Sequence, residues 1–350
     1  MSVVSEIPSP RPAPAAVSVR PIDRDRSIDT MRGIAILMVI GIHALHAQAF
    51  GSLAILADAA FRPCVPIFLF ASGYLTARSG HVSLGRRIKA VLPPYIVAFV
   101  TAYIYMALHN PAMDHRALVT VARFGFAYVF VYYYVFVYLG CTVALWAVFR
   151  LGHTENSDKA ALVALLLAAI VVGLTAGAYL DPLLARFHVP DNIIEEARLR
   201  DIPFWFTFTA AGALVGLWNG RSFLTHHMHL LLPLALAAYA AYALVRLFGI
   251  GDAAAYDSAA FFLFATTLCL ALLGLHLDSA ALAALGSGSY FIYLWHIFIV
   301  LIIRDHTELQ STGGAANFVT VYAVTLFITA ALLFAIRRLD MPLLTRWSGA

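Results

Sequence analysis

Apolar residues recur along this chain in long runs, each interrupted by charged residues, proline or glycine. Because hydrocarbon about 30 Å thick takes roughly 20 helical residues to cross, runs of this length predict transmembrane helices. We predict about ten spans. They cover residues 33–51, 55–77, 90–108, 128–149, 160–180, 203–219, 228–248, 257–275, 286–303 and 317–336.

Composition agrees with a protein whose solvent is the lipid bilayer. Apolar residues make up 62% of the 350 and charged residues 12%, with a mean hydropathy of +0.83, whereas soluble domains are about half apolar and about a quarter charged. Lipid offers the backbone no hydrogen-bond partner, and uninterrupted apolar runs favour helices over a barrel. The predicted fold class is all-α, a polytopic transmembrane helical bundle. The stretch 117–127, which contains Arg123, is too short to cross and is expected to lie in the interface or to re-enter.

The orientation of the bundle follows from lysine and arginine, which are retained on the cytoplasmic side of short loops. With the N-terminus inside, 15 of the 23 lie on that side and 8 on the other. Both termini are therefore predicted to be cytoplasmic. The longest outer loop, 181–202, holds five carboxylates and three arginines and is the largest structured polar surface on its side.

The chain divides into three parts. Residues 1–27 contain five prolines and predict a disordered cytoplasmic tail. Residues 28–340 form the transmembrane domain, and 341–350 a cytoplasmic C-terminal tail. The run Ala47-Gln48-Ala49 offers the alternative of a cleaved signal, but the preceding region is long and His43 interrupts the apolar stretch. The three cysteines lie in or beside spans, and their odd number disfavours a disulfide framework.

Ionisable groups inside apolar spans are costly and are therefore candidates for function. Arg32 and His43 in the first span are eleven residues apart. In an α-helix this step places the two residues on nearly the same face, about 16 Å apart along the helix axis. This places Arg32 at the cytoplasmic edge and His43 near the midplane, a geometry that suits acyl-CoA. Arg32 would hold phosphate, and His43 would take a proton from an attacking hydroxyl. Alternatively, Arg32 reflects topology alone and His43 bonds a neighbouring helix.

A second histidine, His296, lies at a similar depth in the ninth span, and the two could line one cavity or be structural. Arg86, Arg87 and Lys89 follow the second span. Their charge could neutralise nucleotide phosphates, although topology alone also demands basic residues there. No metal site is expected, because a nearby cysteine or carboxylate is missing from the cluster of three histidines at 226, 227 and 229. Nucleic acid is not expected as a partner.

Four separate motifs resemble those of the membrane-bound acyltransferase 3 family. The first is Asp29-x-x-Arg32-Gly33 with His43, the arginine-to-histidine pattern of the first span. The second is the second-span run from Val65 to Tyr74, Val-Pro-Ile-Phe-Leu-Phe-Ala-Ser-Gly-Tyr. The other two are the basic segment at 86–89 and the Tyr-Leu-Trp-His run at 293–296. They occur in the family's order and span most of the chain, and the form of the second motif is most similar to the surface-polysaccharide subgroup.

The resemblance implies an acyl-CoA-dependent O-acyltransferase, most often an acetyltransferase, of the bacterial cytoplasmic membrane. The acceptor would be a hydroxyl of an envelope glycan or lipid-linked saccharide, and glycan-assembly proteins are possible partners. The acyl donor, acetyl-CoA or another acyl-CoA, would contact four basic residues. The residues carried over are His43 and His296 as catalytic groups, Arg32, Arg86, Arg87 and Lys89 as donor ligands, and Ser72, Tyr293 and Trp295 as substrate contacts.

Two departures from the family pattern affect these expectations. Lys89 stands where the family usually has arginine, so a point charge replaces a bidentate fork. The extracytoplasmic esterase-like domain fused to some members is missing, which implies a stand-alone enzyme or a separate partner. Direct transfer and a covalent acyl-histidine both remain open. The rival function is a proton-coupled transporter of a polar substrate, with a non-catalytic envelope subunit as a further alternative.

Overall fold

The structure, a computed structural model, describes residues 25–45, 51–110, 112–152, 159–250, 256, 258–308 and 314–350. Within these ranges the regular secondary structure is entirely α-helical, which confirms the predicted all-α class. In chain order, α1 to α16 are Arg26–Ala44, Ser52–Phe61, Cys64–Ser79, Leu84–His109, Ala117–Gly125, Tyr133–Gly152, Lys159–Arg186, Asp191–Leu199, Ile202–Leu217, Arg221–His226, Met228–Phe248, Ala259–Leu275, Ala280–Ser287, Ser289–His306, Gly314–Arg338 and Pro342–Ser348.

Seven helical segments of the described chain are long and apolar enough to cross a membrane: α1, α2 with α3, α4, α6, α7, α11 and α15. The bent pair α13 and α14 brings the number to eight if it forms one span. The remaining two predicted spans correspond to α9 and α12, which have 16 and 17 residues against about 20 for a typical crossing. Ten spans therefore remains a prediction, as does the placement of both termini.

The first helix begins earlier than the predicted span and ends sooner. Asp25 caps its N-terminus by accepting a hydrogen bond from the backbone N–H of Ser27 at 3.2 Å. Arg221 also bonds Asp25, with Nη1 and Oδ2 2.7 Å apart. Burial opposes ionisation of Asp25, but the bonds from Ser27 and Arg221 hold the pKa of this carboxyl below its ordinary value. The helix therefore starts inside the region predicted as a tail, of which residues 1–24 lie outside the described chain, as does the Ala47-Gln48-Ala49 run.

Two predicted spans are broken. The second is divided into α2 and α3 at Arg62-Pro63. The ninth begins at Ser289, because α13 and α14 meet at Gly288 with an angle of 79°. Within the stretch 117–127, Ala117–Gly125 form the nine-residue helix α5, in which no residue is buried. Its length is too short to cross, as predicted, and its interfacial position stays a prediction.

The centre of the bundle is α1, which contacts α2, α3, α12, α13, α14 and α15. Glycines let several helix pairs approach at backbone distance. A Cβ at Gly73 of α3 would lie 1.9 Å from the carbonyl oxygen of Thr209 in α9, and one at Gly212 would lie 2.0 Å from that of Phe70. Such close crossings of small residues are typical of membrane helix pairs. They fix α3 and α9 as one unit beside α1.

Candidate active site

Arg32 is positioned by the crossing of α1 with α13. A Cβ at the next residue, Gly33, would lie 2.1 Å from the carbonyl oxygen of Leu282, and one at Gly286 would lie 1.8 Å from that of Asp29. The two backbones therefore touch, because neither glycine carries a side chain. The Arg-Gly pair of the first motif thus has a physical basis: the glycine brings α13 close, and the arginine beside it extends toward the start of α14.

The guanidinium of Arg32 has polar neighbours on both sides. Its Nη1 lies 3.6 Å from Oδ1 of Asp29, and Nη2 donates to Oγ of Ser289 at 3.3 Å. With 32% of its side chain exposed, Arg32 remains accessible. It lines a cavity of about 210 Å³ that also includes Ala90, one residue beyond Lys89. A cation at the wall of a cavity is suited to bind an anionic ligand.

His43 and His296 are neighbours, with ring centroids 5.2 Å apart. His43 lies in the last turn of α1, which ends at Ala44, and its depth in the membrane stays a prediction. His296 is fully buried in α14. Its Nδ1 lies 2.7 Å from the carbonyl oxygen of Tyr293, so Nδ1 is the donor, and Nε2 is left without a partner among the described residues. The ring is thus held in one orientation beside His43.

A second cavity of about 330 Å³ contains His43. Tyr134 and Tyr293 line this cavity and also line the cavity of Arg32. Their rings meet edge to face with centroids 5.3 Å apart. The arginine and the histidine predicted to share one helix face therefore open into adjoining spaces separated by two tyrosines. His296 lies behind His43 and is not part of either wall.

The basic residues of α4 divide into two groups. Arg87 donates from Nη1 to Oγ of Ser72 at 3.2 Å and from Nη2 to the hydroxyl of Thr76, so it joins α4 to α3. Two predicted site residues, Arg87 and Ser72, are thereby in contact. Arg86 and Lys89 are exposed on the surface of α4. The three predicted phosphate ligands of α4 are thus two exposed cations and one arginine that already donates to two hydroxyls.

The two aromatic residues predicted as substrate contacts have different positions. Tyr293 lines both cavities, and its hydroxyl donates to the carbonyl oxygen of Val131 at 2.6 Å. Trp295 lines neither cavity. Its Nε1 donates to the carbonyl oxygen of Ser348 at 3.1 Å, which ties α14 to the C-terminal helix α16. The region predicted as a C-terminal tail thus contains a helix that packs on the bundle.

An ionic cluster at the cavity of His43 was not predicted from the sequence. Arg62 lines this cavity and makes two bonds of 2.9 Å to Asp58, which Arg246 also binds. The signal was present in the sequence, because Asp58 and Arg62 are four residues apart in an apolar span, the spacing of a helical ion pair.

Comparison with known proteins identifies the family. A family model described as an acyltransferase domain, that of acyltransferase 3, matches residues 25–338. The chain belongs to this acyltransferase 3 family. No similarity to a curated protein or to a solved structure was found. The acyltransferase 3 domain includes both cavities, the two histidines and the basic residues of α4, so the family assignment and the site geometry concern the same part of the chain.

Proposed function

We propose that this acyltransferase moves an acyl group, in the first instance acetyl, from cytoplasmic acyl-CoA to a hydroxyl of an envelope glycan or lipid-linked saccharide. Its location would be the bacterial cytoplasmic membrane, where both substrates can meet. The observation that supports this most strongly is the pair of adjoining cavities. One contains Arg32 and the other His43, and Tyr134 and Tyr293 line both.

The donor would bind with its phosphates at Arg32 and its thioester toward His43. Arg32 carries a planar fork of donors that suits phosphate oxygens. Exposed Arg86 and Lys89 would add charge at the mouth of this cavity, whereas Arg87 would hold α4 against α3 through Ser72. The helical distance of about 16 Å between residues 32 and 43 suits the long thin arm of coenzyme A. The acyl group would pass along Tyr134 and Tyr293, which line both cavities.

The chemical step is a transfer in which His43 serves as general base. His43 takes the proton of the acceptor hydroxyl while the hydroxyl oxygen attacks the thioester carbonyl carbon. The C–S bond then breaks, and the departing thiolate of coenzyme A receives the proton from His43. His296 touches neither cavity and acts as a positioning residue, because its ring is fixed by the carbonyl oxygen of Tyr293 and lies against His43.

A proton-coupled transporter is the competing function for buried histidines at a cavity. Transporters of that kind often carry broken helices in corresponding positions of two halves. Among the described residues, one apolar helix pair, α13 and α14, is bent by more than 40° at its break. Family membership favours acyl transfer over transport.

The test is incorporation of labelled acetyl from acetyl-CoA into glycan by membranes holding equal amounts of each variant. We expect His43→Ala and His43→Gln both to lose about 10²- to 10⁴-fold in rate, because glutamine can hydrogen-bond but cannot accept and release a proton near neutral pH. The exposed His229, changed to glutamine, is the matched control and should retain parental incorporation. Near-parental activity of His43→Gln would remove the general-base role, since a structural hydrogen bond is one that glutamine can replace.

A further inference from the structure

The wall of the His43 cavity carries an ionic cluster that has no role in the proposed acyl transfer. Arg62 lies at the break between α2 and α3 and lines the cavity. Its Nε and Nη2 each bond a carboxylate oxygen of Asp58 at 2.9 Å. Arg246, near the end of α11, bonds the same carboxylate. Helix α2, the break that follows it and helix α11 thus bring two arginines to one aspartate beside the proposed base.

The charges of this cluster do not balance. Asp58 is the only carboxylate paired with either arginine among the described residues, so the three side chains together carry one surplus positive charge. They are mostly buried, with 15% to 20% of each side chain exposed. An unbalanced charge in an apolar segment is costly, because neither lipid nor protein solvates it as water does. A ligand of opposite charge would offset that cost.

The guanidinium of Arg62 is also arranged to receive a ligand. Its bond to Asp58 occupies one edge and leaves Nη1 outside the carboxylate pair. Tyr256 lies against it, with the ring centroid 4.9 Å from Cζ, and lines the same cavity. Aspartate and tyrosine therefore hold the guanidinium in place at the cavity wall. Asp58 takes the two parallel hydrogen bonds of this fork, so the Nη1 side is the one that can donate a charge-assisted hydrogen bond to a carboxylate or phosphate oxygen of a ligand.

We propose that Arg62, held by Asp58 and supplemented by the charge of Arg246, binds an anionic group of the acyl acceptor. This inference rests on the proposed function, because it assigns the acceptor to the cavity of His43. The chemistry recognised is an anionic oxygen group, either the carboxylate of an acidic sugar or the phosphate of a lipid-linked saccharide. The donor enters at Arg32, so the two anionic groups bind at opposite ends of the path, and the acceptor's hydroxyl is brought to His43.

The test measures binding of glucose, glucuronate and glucose 1-phosphate to the purified full chain in nanodiscs by microscale thermophoresis, without acyl donor. We expect at least one charged ligand to bind about tenfold or more tightly than glucose, as hydrogen bonds to a charged group typically provide. A preference for glucuronate indicates an acidic sugar, and one for glucose 1-phosphate a lipid-linked phosphate. Equal affinity for all three ligands overturns the proposal, and this comparison needs no variant.

Variants of the two arginines test whether the ionic cluster causes the preference for a charged ligand over glucose. Arg62→Gln should abolish it while glucose binding is unchanged, and the buried carboxylate keeps Arg246 as its partner, which favours folding. Arg246→Gln should reduce the preference less, since Arg62 still faces the cavity. The matched control is Arg116→Gln, which removes an exposed arginine paired with Asp114, and it should behave as the parent. Retention of the preference in a folded Arg62→Gln protein would also overturn the proposal.

Acetyl incorporation on the same samples separates this inference from the proposed function. A charged-ligand preference that depends on Arg62, found without any acetyl transfer to glucuronate, glucose 1-phosphate or glycan, would support the anion site and contradict acyl transfer. Acetyl transfer that is equally efficient to glucose and to both charged ligands would support the enzyme and contradict the anion site.

Discussion

At the scale of single residues, the position of Arg32 leads to a measurable prediction. Arg32→Ala should weaken coenzyme A binding about 10- to 100-fold, because each hydrogen bond to a charged group typically contributes about 1.5–3 kcal/mol. Arg26→Ala is the matched control, since Arg26 lies on the same helix but pairs with Asp278 on the surface. Calorimetric titration of coenzyme A into each purified variant gives the affinities. Equal affinity in parent and Arg32→Ala would remove the phosphate-binding role.

Individual residues also show how far the sequence could predict the site. The eleven-residue step from Arg32 to His43 predicted a shared face, and the two side chains do line adjoining cavities. The Tyr-Leu-Trp-His motif alone does not determine which of its side chains face a cavity. Successive residues of a helix point about 100° apart, so neighbours in the motif lie on different faces. Tyr293 therefore lines both cavities while Trp295 bonds Ser348.

The ionic cluster shows why other site residues escaped prediction. Asp58 and Arg62 carry a helical ion-pair spacing, but their significance depends on Arg246, which is 188 residues further along the chain. Hydropathy and local spacing contain no information about such a distant partner. The surplus charge, and hence its functional interest, becomes visible only when α11 is seen to pack against α2.

At the scale of helices, the crossing of α1 with α13 supports the site and can be tested by adding one methyl group. Gly33→Ala places a Cβ 2.1 Å from the carbonyl oxygen of Leu282, and this backbone atom cannot move without shifting α13. We expect a loss of about 1–3 kcal/mol in stability, the usual cost of overpacking. The measurement is the melting temperature of the purified protein, followed by fluorescence-detected gel filtration.

Gly85→Ala is the control for that experiment. A Cβ at Gly85 meets nothing within 4 Å, and alanine is favoured over glycine in a helix by about 0.5–1 kcal/mol. The control should therefore match or exceed the parental melting temperature. If the Gly33→Ala protein has the same melting temperature as the parent, the close crossing of α1 and α13 does not hold Arg32 in place.

The presence of helices was predictable in this chain, but the geometry of the helix breaks was not. Apolar runs correctly located the helices because membrane helices need length and hydropathy above all. The 79° bend at Gly288 lies in the stretch Gly286-Ser287-Gly288-Ser289, where the predicted ninth span begins, but hydropathy gives no sign of the angle at which the two helices meet. Its cause is packing: Gly286 lets α13 lie against α1, and α14 must then turn to bring His296 toward His43.

At the scale of the whole molecule, two short helices decide the topology. The 16 residues of α9 and 17 of α12 rise about 24 to 26 Å at 1.5 Å per residue, less than the hydrocarbon thickness of about 30 Å. Most of α9 is buried between α3, α6 and α7, so neighbouring helices rather than lipid surround it. Crossing by both helices gives ten spans and both termini on one side. Crossing by one alone gives nine and opposite sides.

Reporter fusions distinguish these arrangements, and the lysine and arginine asymmetry predicts their results. Green fluorescent protein after Ala350 should fluoresce, which indicates a cytoplasmic C-terminus. Alkaline phosphatase inserted near Asn192, in the loop helix α8 before α9, should be active, because that enzyme matures outside the cytoplasm. The same reporter at Gly220, just after α9, should be inactive if α9 crosses. Activity at both Asn192 and Gly220 would show that α9 does not cross, and an outside C-terminus would require an odd number of spans.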